Sequence, residues 1–440
     1  MLVNASGPTE NIGDWALTVS AARHVLTAWP NADVALVPWI PQSDPTATTQ
    51  ALVAEMGDLG RGASFRVLAP LTPLQRIRPF YLANHAQRLR IVAYTMKQVF
   101  ADELRLRFNG AARGQLKQSS GSAADCIRQS DAVVFVGGNI VCGAADFRRM
   151  VHLHRQLLPI RLAQKCKVPS FITGSSFDVK FNQIARWLAL DPLLNASHVF
   201  AREPASFQRL SSAGVEKLSL TGDTAFCLTS RRRIEHDRDT VAVNTLSMSE
   251  WQSAIGGGPK SYKEAVDRQI AVLHRLLERH SKIRLLLIPH ESAWTEAVSD
   301  LRPLEQIASA LGQDARVRVV TKVRSLDDII GHYGSCALGI GPRYHGFIFG
   351  AIAGTPMIGI GAKSLKIKGV ASLLDLPYLP NASSPPDVVL EEIDRLLNWD
   401  AAKRQSLADR ASQLGCTSVE SFQRVTHEIM DSVPEAQAGT

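Results

Sequence analysis

The sequence predicts an α/β protein of two domains, each built around a parallel β-sheet. Short apolar runs alternate with longer segments of helical periodicity in both halves of the chain, which is typical of repeated β-α units. The 440 residues also exceed the number that one hydrophobic core usually serves. A polar segment without periodicity, 231–239, separates the two sets of runs and is typical of a domain linker.

The predicted strands are short apolar runs that turn signals bound on both sides. Those of the first half are 33–38, 64–69, 132–136, 170–173, 198–201 and 217–220. Those of the second half are 240–244, 283–288, 317–321, 336–340 and 356–360. After Ser261, apolar residues at positions 266, 270, 273 and 277 recur at helical spacing and predict a helix that faces the core.

These elements divide the chain into three parts. We predict a first α/β domain over residues 1–230 and a second over residues 240–390, with the linker between them. Prolines crowd into a predicted loop at 377–386, because a central strand needs the N–H groups that proline lacks. Residues 391–440 are predicted to form a helical tail that packs back on the first domain.

Composition is that of an ordinary globular protein, with 45% hydrophobic and 20% charged residues. No apolar run is long enough to predict a membrane span, and the first residues lack the basic and apolar regions of a signal peptide. Six widely spaced cysteines indicate neither a disulfide framework nor a zinc site and are predicted to be small core residues. We therefore expect a cytoplasmic protein without a metal or cofactor.

The net charge of +8 is unevenly distributed, because residues 61–117 hold 11 Lys and Arg residues against two acidic ones. No recognised nucleic-acid motif accompanies this basic segment, so no nucleic-acid partner is predicted. One interpretation is a solvated helical face. The other is a peripheral contact with an anionic membrane at its inner face.

Residues of unusual chemistry lie directly after predicted strands. The run 341–350, GPRYHGFIFG, places the guanidinium of Arg343 and the imidazole of His345 two residues apart at a strand end. A cation beside an imidazole suits an anionic substrate and a proton transfer. The alternative is that Arg343 ties a loop and that His345 is an ordinary histidine at a helix start.

Further candidates also follow predicted strands, as ligand-binding residues of open α/β sheets do, so we expect them to converge on one cleft. Gly137 and Gly138 are predicted to form a strand-to-helix turn, whose free N–H groups also suit phosphate. Three polar candidates also have a structural alternative. Arg202 could form a local ion pair, Asp223 could cap the next segment, and His290 could be an ordinary polar residue at a strand end. The candidates are Gly137, Gly138, Asn139, Ser175, Arg202, Asp223, His290 and Lys363.

An ordered series of motifs resembles the polysaccharide pyruvyl transferase family and spans about residues 4–375. Its members are 7–17 (GPTENIGDWAL), 132–139 (AVVFVGGN), 174–176 (GSS), 202–206 (REPAS), 221–226 (TGDTAF), 341–346 (GPRYHG), 354–356 (GTP) and Lys363. Three places depart from the family pattern, which commonly has a third glycine at Asn139, a glutamine at Ser175 and a Gly-Pro at 177–178.

The resemblance implies two Rossmann-like domains that face each other across a cleft, as in the GT-B glycosyltransferases. It also implies transfer of a pyruvyl group from phosphoenolpyruvate to two hydroxyls of a saccharide as a cyclic ketal, in exopolysaccharide or cell-surface glycan synthesis. The first domain would hold the acceptor and part of the donor site, and the second domain would hold the donor. With a lipid-linked acceptor, the basic segment would bring the protein to the inner face of the membrane.

The chemistry assigns a role to each candidate. The planar fork of arginine binds carboxylate or phosphate, so Arg202 and Arg343 are expected to hold phosphoenolpyruvate from opposite domains. His345 is the expected general acid or base, with Asp14 and Asp223 as carboxylates that bind or orient hydroxyls. The other expected substrate-binding residues are Asn11, Gly137, Gly138, Asn139, Ser175, His290 and Lys363.

Two other functions fit the same fold. A GT-B glycosyltransferase that uses a nucleotide sugar would need a base and ribose site in the second domain. A non-catalytic sugar- or anion-binding protein would have no need of the Arg343 and His345 pair. The motif series favours pyruvyl transfer over both.

Overall fold

The structure, a computed structural model, describes most of the chain. The described residues are 1–8, 10–38, 44–69, 71, 97, 123–142, 147–178, 190–229, 236–248, 250–251, 258–291, 299–312, 314–361, 364–380 and 385–432. Most of the basic segment 61–117 and all of Lys363 lie outside these ranges, so the predictions made for them stay predictions. Among the described residues, no helix combines the length and the apolar character that crossing a membrane requires.

The first half of the chain forms a parallel sheet with helices on its faces. Its strands are β1 Leu2–Ala5, β2 Asp33–Pro38, β3 Ser64–Val67, β4 Val133–Phe135, β5 Gly138–Cys142, β6 Ser170–Asp178, β7 His198–Ala201 and β8 Leu218–Leu220. Its helices are α1 Ile12–Ala28, α2 Pro45–Met56, α3 Ala123–Gln129, α4 Phe147–Lys165, α5 Asp191–Leu194 and α6 Pro204–Ser212. Within the described ranges the strand order is β3-β2-β1-β4-β6-β7-β8, and β5 pairs with the end of β6.

The second half forms another parallel sheet. Its strands are β9 Asp237–Val243, β10 Arg284–Leu287, β11 Val317–Val319, β12 Cys336–Gly341, β13 Met357–Gly361 and β14 Tyr378–Pro380, in the order β11-β10-β9-β12-β13-β14. Its helices are α7 Pro259–Arg279, α8 Leu301–Ala310, α9 Leu326–Gly334, α10 Tyr344–Ile352, α11 Leu365–Leu374 and α12 Pro386–Leu397, and α13 Ala401–Ser432 follows. The predicted α/β fold with parallel sheets is confirmed.

The central strands are apolar because helices cover both faces of each sheet. The six residues of β12 are all buried, and so are the five of β13. Of the apolar face predicted for α7, Leu273 and Leu277 are buried in the core of the second half, and Val266 and Ile270 pack half-buried against it. The core also contains Val272 and Leu276 of this helix, which the predicted face did not include. The strands are thereby held rigidly, and their carboxyl ends present loops at defined positions.

The predicted strand-to-helix turn at Gly137 and Gly138 is wrong. Residues 138–142 form β5 and pair in parallel with the end of β6 instead of starting a helix. Gly138 has a φ of +103°, and a Cβ on Gly137 would lie 2.8 Å from the carbonyl oxygen of Gly174. The two glycines therefore allow close strand approach, and no phosphate-binding helix start is formed here. The side chain of Asn139 lies outside the described part of the structure.

Other elements also differ from the prediction. Strand β14 lies in the predicted proline loop, where proline is tolerated because β14 is an edge strand. Strand β9 begins at Asp237, inside the predicted linker. Cys416 is exposed rather than buried in the core.

Helix α13 contacts the first half of the chain after leaving the second. The hydroxyl of Thr417 accepts from the N–H of Gly222 at 3.0 Å, and the hydroxyl of Ser418 donates to the carbonyl of Asp223 at 3.2 Å. Phe422 stacks on His24 of α1 with 4.4 Å between ring centroids. These contacts support the segment that carries Asp223. The domain bounds 1–230, 240–390 and 391–440 stay a prediction.

Candidate active site

The carboxyl ends of the two sheets meet where both halves contribute candidate residues. The N–H of Ile12, at the start of α1, donates at 2.9 Å to the carbonyl of His290, which lies just beyond β10. Asn11 forms a β-bridge with Glu291 beside this bond, and its side chain also caps α1. Loops from two sheets thus touch at the place where ligands bind in open α/β sheets.

Arg202, directly after β7, is the centre of a buried polar cluster in the first half. Its Nη1 donates to Asp223 and its Nε to the hydroxyl of Ser176, each at 2.6 Å, and Glu203 lies 3.5 Å from Nε. The side chain is 2% exposed, and the ring of Tyr344 from the second half lies 4.1 Å above the guanidinium carbon. A cation–π contact therefore joins this cluster to the second half.

Arg343, directly after β12, is held by carboxylates of the second half. Its guanidinium donates to Asp300 and, from Nε, to the carbonyl of Thr245 at 3.0 Å. Glu250 lies 3.2 Å from Nη1 and Glu291 lies 3.8 Å from Nη2. Burial alone would lower the pKa of Arg343, but the three carboxylates raise it. Arg343 is therefore charged, buried and fully surrounded by acceptors.

Asp300 connects the loops around Arg343. Its carboxylate accepts from the backbone N–H groups of Ser247 at 3.2 Å, His290 at 3.1 Å and Glu291 at 3.1 Å, as well as from Arg343. These partners follow three different strands, β9, β10 and β12. Asp300 was not predicted as a site residue, because it precedes α8 and follows no predicted strand.

His345 lies in the first turn of α10, against the start of α1. A Cβ on Gly13 would lie 2.0 Å from His345 Nδ1, so only glycine fits opposite the ring. The imidazole is 9% exposed, and its Nε2 has no hydrogen-bond partner among the described residues. Burial, and after it the charge of Arg202, lowers the pKa of His345 well below its usual value. The site thus contains a neutral imidazole with a free ring nitrogen.

Asp14 lies one residue beyond Gly13 on α1 and is half-buried. Its Oδ1 is 3.7 Å from the Cβ position of Gly138, and its carboxylate has no hydrogen bond or ion pair among the described residues. Burial, and then the charge of Glu250, raises the pKa of Asp14 to about 6. Asp14 is therefore a carboxylate that can change its protonation near neutral pH.

Asp223 and Ser175 are both committed to local hydrogen bonds. Besides pairing with Arg202, Asp223 caps the 3₁₀ turn Thr224–Cys227 by accepting from the N–H of Ala225 at 2.9 Å. The buried hydroxyl of Ser175 donates to the carbonyl of Thr173 at 2.8 Å. The structure thus contains both structural alternatives: Arg202 forms a local ion pair with Glu203, and Asp223 caps the turn that follows it.

Tyr333 and Asn244 link His290 to the Arg343 loop. His290 Nε2 lies 2.7 Å from the hydroxyl of Tyr333, which accepts from Asn244 Nδ2 at 2.8 Å. Asn244 Oδ1 in turn accepts from the N–H of Arg343 at 2.9 Å. Burial, and then the charge of Arg343, lowers the pKa of His290 well below its usual value, so its ring is neutral. Asn244 is the last residue of a predicted strand, so the expectation that ligand-binding residues lie at the carboxyl ends of strands could have found it.

Most candidates of the sequence analysis are brought together in one region. The members described here are Asn11, Asp14, Gly137, Gly138, Ser175, Arg202, Asp223, His290, Arg343 and His345. Within the described ranges, no group of three or more His, Cys, Asp or Glu side chains is arranged to hold a metal ion.

The fold is similar to that of GT-B enzymes. UDP-GlcNAc 2-epimerase from Methanocaldococcus jannaschii aligns with a TM-score of 0.54 and 9% identity, covering 97% of this chain and 99% of that chain. The epimerase from Neisseria meningitidis aligns at 0.53 and 8% identity, covering 98% and 99%. The glycotransferase of kitacinnamycin aligns at 0.50 and 14% identity, also covering 98% and 99%. These likenesses establish the GT-B fold, with its two Rossmann-like domains.

The family assignment comes from the sequence of the chain. A comparison with curated protein sequences found no significant match. The family model of polysaccharide pyruvyl transferases matches residues 48–364, which include Arg202, Asp223, Arg343 and His345. The chain therefore belongs to the polysaccharide pyruvyl transferase family, as the motif series predicted.

Proposed function

We propose that the protein transfers the pyruvyl group of phosphoenolpyruvate to two hydroxyls of one saccharide. The methylene carbon of the donor gains a proton, one hydroxyl oxygen bonds to the neighbouring carbon, and a second hydroxyl replaces the phosphate. Of the two hydroxyl protons, one ends on the new methyl group and the other on the released phosphate. The product is a cyclic ketal, made in exopolysaccharide or cell-surface glycan synthesis.

The observation that carries this proposal is Nε2 of His345, which is buried where the two halves meet and has no hydrogen-bond partner within the described ranges. A neutral imidazole beside a bound dianion gains proton affinity, because the negative charge stabilises the imidazolium. His345 can then take a proton on donor binding and pass it to the methylene carbon. The adjacent carboxylate of Asp14 is free to accept the proton of the attacking hydroxyl.

The arginines contribute charge to this site from its two sides. Arg202 keeps one guanidinium nitrogen, Nη2, outside its bonds to Asp223 and Ser176, so it can meet an anion directly. Arg343 has carboxylates near both terminal nitrogens and a carbonyl at Nε. Its contribution to donor binding is therefore proposed to be a fixed positive charge behind His290 and Glu291.

A nucleotide-sugar glycosyltransferase is the second candidate, since the structural relatives include a glycotransferase and an epimerase of UDP-GlcNAc. That likeness concerns the fold, whereas the family match concerns the sequence of this chain. Pyruvyl transfer is therefore the better-supported proposal. The acceptor is proposed to be a saccharide, in a lipid-linked form if the basic segment 61–117 contacts an anionic membrane.

One assay separates the candidate functions. The protein is incubated with phosphoenolpyruvate or with UDP-sugars, each together with a panel of glycans, and products are identified by mass spectrometry while phosphate release is followed. Pyruvyl transfer yields a glycan that carries one pyruvyl ketal and one equivalent of phosphate. Glycosylated product with UDP-sugars alone would contradict the proposal, and binding without any product would indicate a non-catalytic protein.

The membrane contact has a separate test. Sedimentation with vesicles of anionic and of zwitterionic phospholipids, each at low and moderate salt, measures whether the basic segment attracts the protein to negative charge. Binding to anionic vesicles that salt weakens is expected. Absence of binding at either salt concentration would refute the contact.

A further inference from the structure

The cations near His345 differ in whether a carboxylate neutralises them. The charges that act on its ring belong to Arg202, Lys366 and Arg343, beside the neighbouring His290. Arg202 pairs with Asp223, and Arg343 pairs with Asp300 and Glu250. Among the described residues, no carboxylate lies within ion-pair distance of Lys366. At Lys366, therefore, an anion that enters the site competes with no paired carboxylate of the described residues, unlike at Arg202 and Arg343.

The place of Lys366 in the fold directs it toward the junction of the two halves. It is the second residue of α11, three positions before Gly369 and so on the same face of the helix. A Cβ on Gly369 would lie 3.4 Å from the Cβ of Glu203, so this face packs beside Arg202. Lys366 is half-buried, whereas Leu365 and Lys368 on the other side of the helix are exposed.

Helix α11 packs against α10, which carries His345, and the charge of Lys366 acts on both candidate proton-transfer groups. Burial shifts the pKa values of Asp14 and His345 most, upward for Asp14 and downward for His345, and the charge of Lys366 lowers both. The first turn of α11 adds the positive end of a helix dipole, and the side chain of Ser364 caps the N–H of Ile367 there. Nε2 of His345, on the neighbouring helix α10, is buried and has no hydrogen-bond partner in the part of the chain that the structure describes, which is an independent sign of a missing ligand.

We propose that Lys366, together with the first turn of α11, binds the phosphate group of the donor, opposite His345. The inference rests on the proposed function, in which the donor is phosphoenolpyruvate. Phosphate beside Lys366 leaves the donor carboxylate toward Arg202 and the methylene carbon toward His345. Lys366 also neutralises the charge that develops on the departing phosphate.

Lys368 provides a matched control on the same helix. Isothermal titration measures binding of phosphoenolpyruvate, of inorganic phosphate and of pyruvate to the wild type and to Lys366→Met, Lys366→Arg and Lys368→Met. Lys366→Met should weaken binding of the two phosphate-containing probes by about tenfold or more and leave pyruvate binding unchanged. Lys366→Arg should retain most of the affinity, and Lys368→Met should stay within about twofold of the wild type.

The outcomes separate this inference from the proposed function. Equal phosphate affinity of wild type and Lys366→Met, with the variant folded in thermal unfolding, would overturn the role of Lys366 even if pyruvyl transfer is observed. Loss of pyruvate binding instead of phosphate binding would overturn it as well. Lys366-dependent binding of phosphoenolpyruvate without transfer to any glycan would support the phosphate site and contradict the proposed reaction. If Lys366→Met does not fold, the same titrations are made with Lys366→Gln, which also removes the positive charge.

Discussion

The two arginine clusters of the site are built from the same residue types but are tied to the fold differently. The cluster of Arg343 is internal to the second half, where Asp300 binds three backbone N–H groups and the guanidinium. In the cluster of Arg202, Asp223 accepts one backbone hydrogen bond among the described residues, from Ala225, and the ring of Tyr344 from the other half covers the guanidinium. The second-half cluster holds loops in place, and the first-half cluster joins the halves.

This difference separates structural from chemical roles among residues that look alike in sequence. Removing a group with several buried partners costs stability, because each partner is left unsatisfied. The imidazole nitrogen Nε2 of His345 has no partner among the described residues, so its removal should cost little stability and is expected to act on turnover instead. The predictions below test this contrast, from the largest expected effect to the smallest.

Asp300→Ala should lower the free energy of unfolding by about 3–5 kcal/mol, because it leaves Arg343 and three backbone donors buried without an acceptor. Asp223→Ala should cost less, since only one backbone donor and Arg202 lose their partner. Urea denaturation of both variants measures the difference. An equal or larger loss in Asp223→Ala would contradict the proposed contrast between the clusters.

His345→Gln should reduce phosphate release on the order of a hundredfold, since a positioned proton-transfer group is lost. The free energy of unfolding should change by less than about 1 kcal/mol, because Nε2 has no hydrogen-bond partner among the residues that the structure describes. His290→Gln is the matched control: it breaks the bond to Tyr333 and should cost stability of about 1 kcal/mol with a smaller loss of turnover. Turnover near that of the wild type in His345→Gln would refute the catalytic assignment.

Tyr344→Leu should lower the free energy of unfolding by about 1–2 kcal/mol, because the buried guanidinium of Arg202 loses its aromatic cover. Tyr344→Phe keeps the ring and should behave like the wild type. Thermal unfolding compares the two variants. A loss of the same size in both would show that the hydroxyl, and not the ring, makes the contact that matters.

Asp14→Asn should change how stability depends on pH. The pKa of Asp14 is raised to about 6 in the folded protein, so the stability associated with its protonated form is present below the unfolded value and is lost as the pH rises through about 6. Asparagine cannot ionise, so the variant does not lose this stability as the pH rises. At pH 7.5 it should be more stable than the wild type by about 1 kcal/mol, a figure reduced for solvent screening. Denaturation at pH 4 and pH 7.5 measures it, and a gain that persists unchanged at pH 4 would contradict the assignment.

Much of the architecture could be predicted from local patterns. Buried parallel strands form near-continuous apolar runs, so β12 and β13 were recognised within a residue or two of their bounds. Strands without such runs were not predicted, among them β1, which Asn4 interrupts, and β14, which ends in proline. The expectation that ligand-binding residues follow strand ends led to Arg202, Arg343 and His345, which the structure places where the two halves meet.

The sequence by itself determined the family, the α/β class and the residues that gather at the strand ends, because periodicity and motif order are local properties of the chain. Only the tertiary structure decided which of these groups are already paired. Asp300 reaches Arg343 across 43 positions of sequence, and Lys366 is set apart from Lys368 only by the face of α11 that packs on Glu203. Burial and pairing depend on contacts between distant segments. Among the described residues, these contacts give no ion pair to Asp14 or Lys366 and leave Nε2 of His345 without a hydrogen bond.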